Sequence, residues 1–229
     1  PDQADKQPMP IPLRIALYDR DTGCHAGERL IVLDKAKESF AFGGFARLPV
    51  LSINRGFSAP VAIEFERDAE DLVFLAARDD DPFARYEAMQ SLVVQHLVAA
   101  VGGGLADAER AAGRAAIGKA FAAIIADEAL DDLMRGELMM LPTVAYLAEQ
   151  VLVADPYAIH EEREALKHWL GGELASELTA LHDRVSAVPY GRDAAARGAR
   201  KAKAQALILI ASGDAACLLY TSDAADERS

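Results

Sequence analysis

Five histidines, His25, His96, His160, His168 and His182, bound whatever acid–base or metal chemistry this 229-residue chain performs by itself. Cys24 and His25 are adjacent and both can ligate a metal, but no third ligand is near in sequence, so the pair reads as a solvated loop. His160-Glu161-Glu162-Arg163-Glu164 begins like a zinc helix and then departs from it. Two imidazoles share one helical face only when they lie four residues apart; Glu164 holds that position, and His168 is a further turn away. The stretch reads instead as a charged helical face, with Glu161, Glu164 and Lys167 in local pairs. His182-Asp183 supplies two members of a Ser-His-Asp triad, yet no Gly-x-Ser-x-Gly elbow occurs anywhere in the chain. His96 falls inside a long helical pattern and suits a core or a surface position equally. Gly102-Gly103-Gly104 ends a helix rather than leading from a strand into one, so it is not a phosphate loop. Phe40-Ala41-Phe42-Gly43-Gly44-Phe45 reads as buried strand aromatics before it reads as a binding patch, and Met139-Met140 as core. No residue is assigned a catalytic, substrate-binding or metal-ligating role.

The elements that hold these residues change character at residues 79–92. Upstream, apolar residues alternate: Ile11, Leu13, Ile15 and Leu17 on one face, Pro12, Arg14, Ala16 and Tyr18 on the other. Further strands are predicted at 30–33, 39–42, 50–53 and 59–65, five short strands that suggest a small sandwich. Pro12 and Pro60 lack an amide donor and belong at strand starts or edges. A short helix is predicted over 68–78. At Asp81-Pro82 the carboxylate can accept from free first-turn amides and proline needs no donor, so a long helix starts there, its stripe running through Phe83, Tyr86, Met89, Val93, Leu97 and Val101. Helices follow at 107–127, where Ile117, Phe121, Ile124 and Ile125 form the stripe, at 131–140, and at 144–151 with Pro142 in its first turn. Asp155-Pro156 opens another from 157 to about 170, able to continue past Gly171-Gly172 to 185, and 202–211 is last, behind a basic run at Arg197, Arg200, Lys201 and Lys203. The fold class is therefore α+β: a small β-sandwich followed by an all-α, solenoid-like domain.

Composition excludes several classes. A formal charge of −12 disfavours a nucleic-acid or anionic-membrane partner. No apolar run has the length of a membrane helix, and the first residues are too polar for a signal peptide. Two cysteines fit a reducing compartment, and a cytoplasmic setting is expected.

Four stretches resemble the bacterial aminopeptidase N group of the M1 zinc metallopeptidases: 1–19 (PDQADKQPMPIPLRIALYD), 57–61 (FSAPV), 81–92 (DPFARYEAMQSL) and 141–178, which begins Leu-Pro-Thr-Val. The similarity is collinear over roughly residues 1–212. It implies a β-sandwich over 1–66 and the first part of a helical cap over 67–216, both belonging to an enzyme that trims N-terminal residues from peptides with zinc-activated water and a Glu general base. The family's HExxH motif, its downstream Glu and the GAMEN segment do not occur in the chain. The resemblance thus implies a fragment that binds no zinc and is inactive alone, whose partners are the catalytic domain of the same polypeptide and peptides with a free N-terminus. The competing reading is a non-enzymatic scaffold of sandwich plus helices that presents a protein-binding groove.

Residues 217–229, from Cys217 onward, have no counterpart in that group and read like a translated sequencing adapter, so the natural sequence is expected to stop near Ala216. A helical stack cut there would expose Leu207, Ile208, Leu209 and Ile210 and favour self-association.

Overall fold

The computed structural model describes residues 9–103 and 105–213, so the stretch from Cys217 and the third glycine of the triplet lie outside the described residues. β1 (Ile11–Tyr18) is the middle strand of an antiparallel sheet, between β2 (Arg29–Leu33) and β3 (Val50–Ile53). Register sets Ile15 opposite both Arg29 and Ile53. Pro12 pairs with Val32 on one side, and β3 reaches only from Tyr18 back to Ile15 on the other. The neighbouring same-side donor, Arg14 N–H, is taken by Ser58 Oγ at 2.9 Å rather than by a strand. The proline's missing donor therefore costs no ladder bond.

Two of the five expected strands do not form. The 39–42 segment lies in an irregular connection containing Gly43 and Gly44, the latter at φ 95°, and residues 61–68 run without a turn or bend but find no strand to pair with. The sheet is also covered on both faces along β1. Ala16, Tyr18 and Val50 share a core with Leu72 and Leu75, while Leu13 and Ile15 are buried on the opposite face, where Ile15, Leu17 and Phe45 line one small cavity. Alternation alone had suggested one buried face.

Among the described residues, eight α-helices follow. α1 (Ala69–Arg78) is capped by Asp68, which accepts from Asp71 N at 2.7 Å, and α2 (Pro82–Val101) by Asp81, which accepts from Ala84 N at 2.8 Å with Pro82 in the first turn. Met89, Val93 and Leu97 of the expected stripe are buried, joined by Ala84, Ala88 and Leu92; Phe83, Tyr86 and Val101 sit at its margin. α3 (Asp107–Ala126) buries Ile117, Phe121 and Ile124. α4 (Asp132–Leu138) starts from an Asp131 cap. α5 (Val144–Glu149) is capped by Thr143, whose hydroxyl accepts from Tyr146 N, so Pro142 precedes the cap instead of filling the first turn. α6 (Pro156–Glu173) runs through both glycines and breaks at Leu174, where α7 (Ala175–Ser186) begins.

The last helix, α8 (Ala194–Gly213), starts earlier than its apolar segment suggested and includes the basic run, because Asp193 accepts from Ala196 N at 2.9 Å and alanines propagate the turn. It packs on α4, α6 and α7. One hydrophobic core runs from Ala16 and Tyr18 of the sheet to Leu209 of α8, so sheet and helices are not separate bodies. Of the four residues expected to be exposed, Leu207 (45%) and Ile208 (47%) are, Leu209 is buried, and Ile210 packs partly on the core.

Candidate functional site

The densest polar cluster sits where sheet meets helices. Arg55 lies in a single 3-10 turn, Arg55–Phe57, directly after β3, and is 4% exposed. Its Nη1 donates to Asp79 Oδ1 at 2.8 Å, to Ser52 Oγ at 3.2 Å and to Tyr18 Oη at 3.4 Å. Nη2 bonds Asp80 Oδ1, and Nε donates to Glu28 Oε2 at 3.1 Å. Tyr18 Oη is 2.8 Å from Asp80 Oδ1 and accepts from Asp80 N at 3.1 Å. One guanidinium therefore ties β1, β3, the segment before β2 and the α1–α2 turn.

Local backbone aims Arg55 inward. Asn54, Gly56 and Phe57 all have positive φ, at 59°, 60° and 52°. Left-handed backbone is disfavoured for a residue with a Cβ, and most for a bulky one such as Phe. Asn54 offsets its share with its side chain: Oδ1 accepts from Ala59 N at 2.9 Å and from Ser58 Oγ at 3.1 Å, and Nδ2 donates to Ala59 O at 3.1 Å.

The node carries fixed charges. Burial works against ionising Asp80, and the bonds from Arg55, His25 and Tyr18 outweigh it, holding its carboxyl well below the usual range. Burial also opposes the Arg55 charge, but Asp80 and Tyr18 push its pKa up, while burial drives the Tyr18 phenol up. At neutral pH Arg55 and Asp80 therefore stay charged and the Tyr18 phenol stays protonated, so these three hold structure.

His25 belongs to this node rather than to a solvated loop. Its Nε2 donates to Asp80 Oδ2 at 3.1 Å, its Nδ1 accepts from Gly27 N at 3.1 Å, and its ring meets Tyr18 edge to face at 4.8 Å. Cys24 is free and exposed and joins no metal site. Among the described residues no group of three His, Cys, Asp or Glu side chains is placed to hold a metal ion, so the residues present do not fit a zinc centre.

The other candidates are dispersed. His96 is buried beside Gly113, and burial, aided by Arg114 and Arg110, lowers its pKa. His160 is exposed, His168 Nδ1 donates to Ser212 O at 2.6 Å, and Glu164 pairs with Lys167 and Arg163 as a charged face should. His182 does find a third member that sequence reading missed. Nδ1 lies 3.1 Å from Asp183 Oδ1, and Ser186 Oγ lies 3.4 Å from Nε2; the signal was the four-residue spacing of His182 and Ser186. That row lies along α7, whose amides are committed to the helix, so no donors are left for an oxyanion, and the three residues line none of the clefts below. The aromatics at 40–45 are not the buried strand residues expected: Phe40 is 39% exposed and Phe42 lies under Arg29 at 5.4 Å. Met139 is buried as expected.

Two adjoining clefts of about 690 and 700 Å³ share Asp127, Leu130 and Asp131. Five of the charged groups lining them pair with one another: Arg85 with Asp127 at 2.9 Å, and Arg184 and Arg135 with Asp132 at 2.7 and 3.0 Å. Arg85 and Arg135 were also illegible in the sequence as buried residues. Arg85 donates to the last carbonyls of α1 at Ala76 and Ala77, and Arg135 to Ile124, Ile125, Asp127 and Leu130 around the end of α3.

Comparisons with known proteins agree with this architecture. Residues 69–226 match a family model described as a domain of unknown function (DUF3458_C) of ARM repeats, and residues 1–66 match one described as a domain of unknown function (DUF3458) with an Ig-like fold. The chain is 34% identical over 195 residues to aminopeptidase N of Escherichia coli (strain K12), covering 80% of this chain and 22% of that protein. It is 32% identical over 172 residues to aminopeptidase N of Caulobacter vibrioides, covering 75% and 20%. It therefore spans about a fifth of the length of these relatives. The crystal structure of Legionella pneumophila aminopeptidase A in complex with aspartic acid superposes with a TM-score of 0.76 at 24% identity, over 89% of this chain and 24% of that one, which shows a shared fold.

Proposed function

Because the chain belongs to the DUF3458_C family of ARM-repeat domains and is homologous to part of aminopeptidase N, we propose that it is the non-catalytic spacer and lid of a zinc-dependent aminopeptidase. The parent enzyme removes N-terminal residues from peptides in the cytoplasm, and its zinc and general base reside in a catalytic domain of the same polypeptide. This segment holds and covers that domain. The observation that carries the reading is the similarity to aminopeptidase N over most of the chain, joined to a sequence without an HExxH motif. The fixed charges of Arg55 and Asp80 suit a spacer, since they tie sheet to helices.

The test is an activity assay. Purified chain supplemented with zinc should release no chromophore from an alanyl p-nitroanilide above the zinc-only control. Turnover that tracks protein concentration and disappears with chelator would overturn the assignment of an inactive lid.

A further inference from the structure

Tyr86, Glu87 and Gln90 lie about one turn apart on α2 and form one wall of a pocket of about 280 Å³. The opposite wall is the 140–143 connection between α4 and α5, with Tyr146 of α5 beside it. Hydrogen bonds hold both walls in place. Gln90 Nε2 donates to Met140 O at 3.0 Å, Arg163 Nε of α6 donates to Pro142 O at 2.7 Å, and Thr143 Oγ1 accepts from Tyr146 N at 3.2 Å. Pockets for drug-sized ligands run from about 300 to 1,000 Å³, so this one suits a single side chain or a small molecule.

Its chemistry is one-sided. Among the described residues Glu87 is the one charged group on the lining, no ion pair forms at it, and Arg67 acts on it only through space. Partial desolvation lifts the Glu87 carboxyl above its ordinary pKa, so an incoming cation meets a carboxylate that water solvates poorly. The Tyr86 phenol is pushed up by burial first and then by Glu137, Glu87 and Tyr146, which marks a negative potential along the same wall. Arginines already lie over the rings of Phe42, Phe65, Phe74 and Tyr190, whereas among the described residues none lies over Tyr86 or Tyr146. Electron-rich rings beside an unpaired carboxylate are the chemistry that recognises an ammonium group.

We propose that this pocket binds a primary alkylammonium ion, with Glu87 accepting from its N–H groups, Tyr86 and Tyr146 flanking the charge, and Leu141 and Pro142 against the methylene chain. A free amine and a lysine side chain of a peptide present the same group. The site uses no residue of a catalytic domain, so its test is independent of peptidase activity.

The 229-residue chain, labelled with nitrogen-15, should be titrated with n-butylammonium chloride at constant ionic strength and read at the Gln90 side-chain amide and the Tyr146 and Leu147 backbone amides. Saturable shifts are expected at all three. Glu87→Gln should weaken binding at least about tenfold, because a charge-assisted hydrogen bond is lost, and Tyr146→Leu about two- to fivefold. Both residues are exposed, so both variants should keep the melting temperature of the parent chain. Tighter binding of Nα-acetyl-lysine amide than of n-butylammonium assigns the pocket to a lysine side chain, and weaker binding assigns it to a free amine; either supports the site. Absence of saturation, shifts given equally by sodium butyrate, or an affinity unchanged in Glu87→Gln would overturn the proposal.

Discussion

Arg55 bridges four segments through one buried guanidinium, so its loss strands Asp79, whose side chain is fully buried. Removing one partner of such a pair costs about 3–5 kcal/mol, chiefly from the unpaired charge that is left. We expect Arg55→Met to lower unfolding stability in urea by an amount in that range, and Arg55→Met with Asp79→Leu to recover part of it; additive losses would contradict the pairing. His96 gives a pH dependence with a definite sign. Its folded pKa is depressed from 6.5, by burial first and then by Arg114 and Arg110, with Glu162 opposing. The unfolded chain therefore binds the proton more readily. Its contribution is complete above about pH 6.5 and is lost as pH falls below that value. Urea titrations between pH 5 and 8 should show stability declining on the acid side, with a smaller slope in His96→Leu; identical slopes would contradict it. Of these residues only the histidine's place in α2 was legible. Arg55 was not, because a buried arginine is invisible in sequence when its partners lie up to 37 residues away.

Helix α8 reaches its neighbours through residues with little or no side chain. A Cβ on Gly171 would stand 2.1 Å from Leu209 O, and one on Gly198 2.7 Å from Leu133 N, both against backbone that cannot swing aside. We expect Gly171→Val and Gly198→Val to lower the melting temperature sharply, while Gly172→Ala, which meets nothing within 4 Å, should change it by a degree or two at most. Equal effects at positions 171 and 172 would contradict the close crossing. Caps explain why the helices were readable: Asp68, Asp81, Asp131, Thr143 and Asp155 each accept a first-turn amide, and each precedes an apolar stripe. C-terminal caps were not readable, because Arg85 and Arg135 reach the ends of α1 and α3 from the following helix. Strands were over-read for a related reason. Alternation reports that a segment can pair, and at 39–42 and 59–65 no partner is present among the described residues.

At the scale of the whole molecule, the continuous core from sheet to α8 makes the junction near residue 66 a packed interface rather than a flexible linker. A single cooperative unfolding transition follows, monitored alike by helical circular dichroism and by exchange of the β1 amides; two separated transitions would contradict it. Exposed apolar groups gather at Leu207 and Ile208 on α8, at Leu152 and Val153 between α5 and α6, and at Tyr157 in the first turn of α6. We expect concentration-dependent self-association in light scattering, reduced by Leu207→Lys with Ile208→Lys. A monodisperse monomer of the unmodified chain at high concentration would contradict that. The order of sheet then helices was legible because the apolar period changes at residue 81, whereas their fusion into one core depends on contacts that no local pattern reports. The central claim is that the metal-bearing half of a peptidase precedes this segment in one polypeptide. Reading the coding sequence upstream of Pro1 tests it most directly: the account requires an open frame encoding HExxH with a downstream Glu, and a start codon immediately before Pro1 would contradict it.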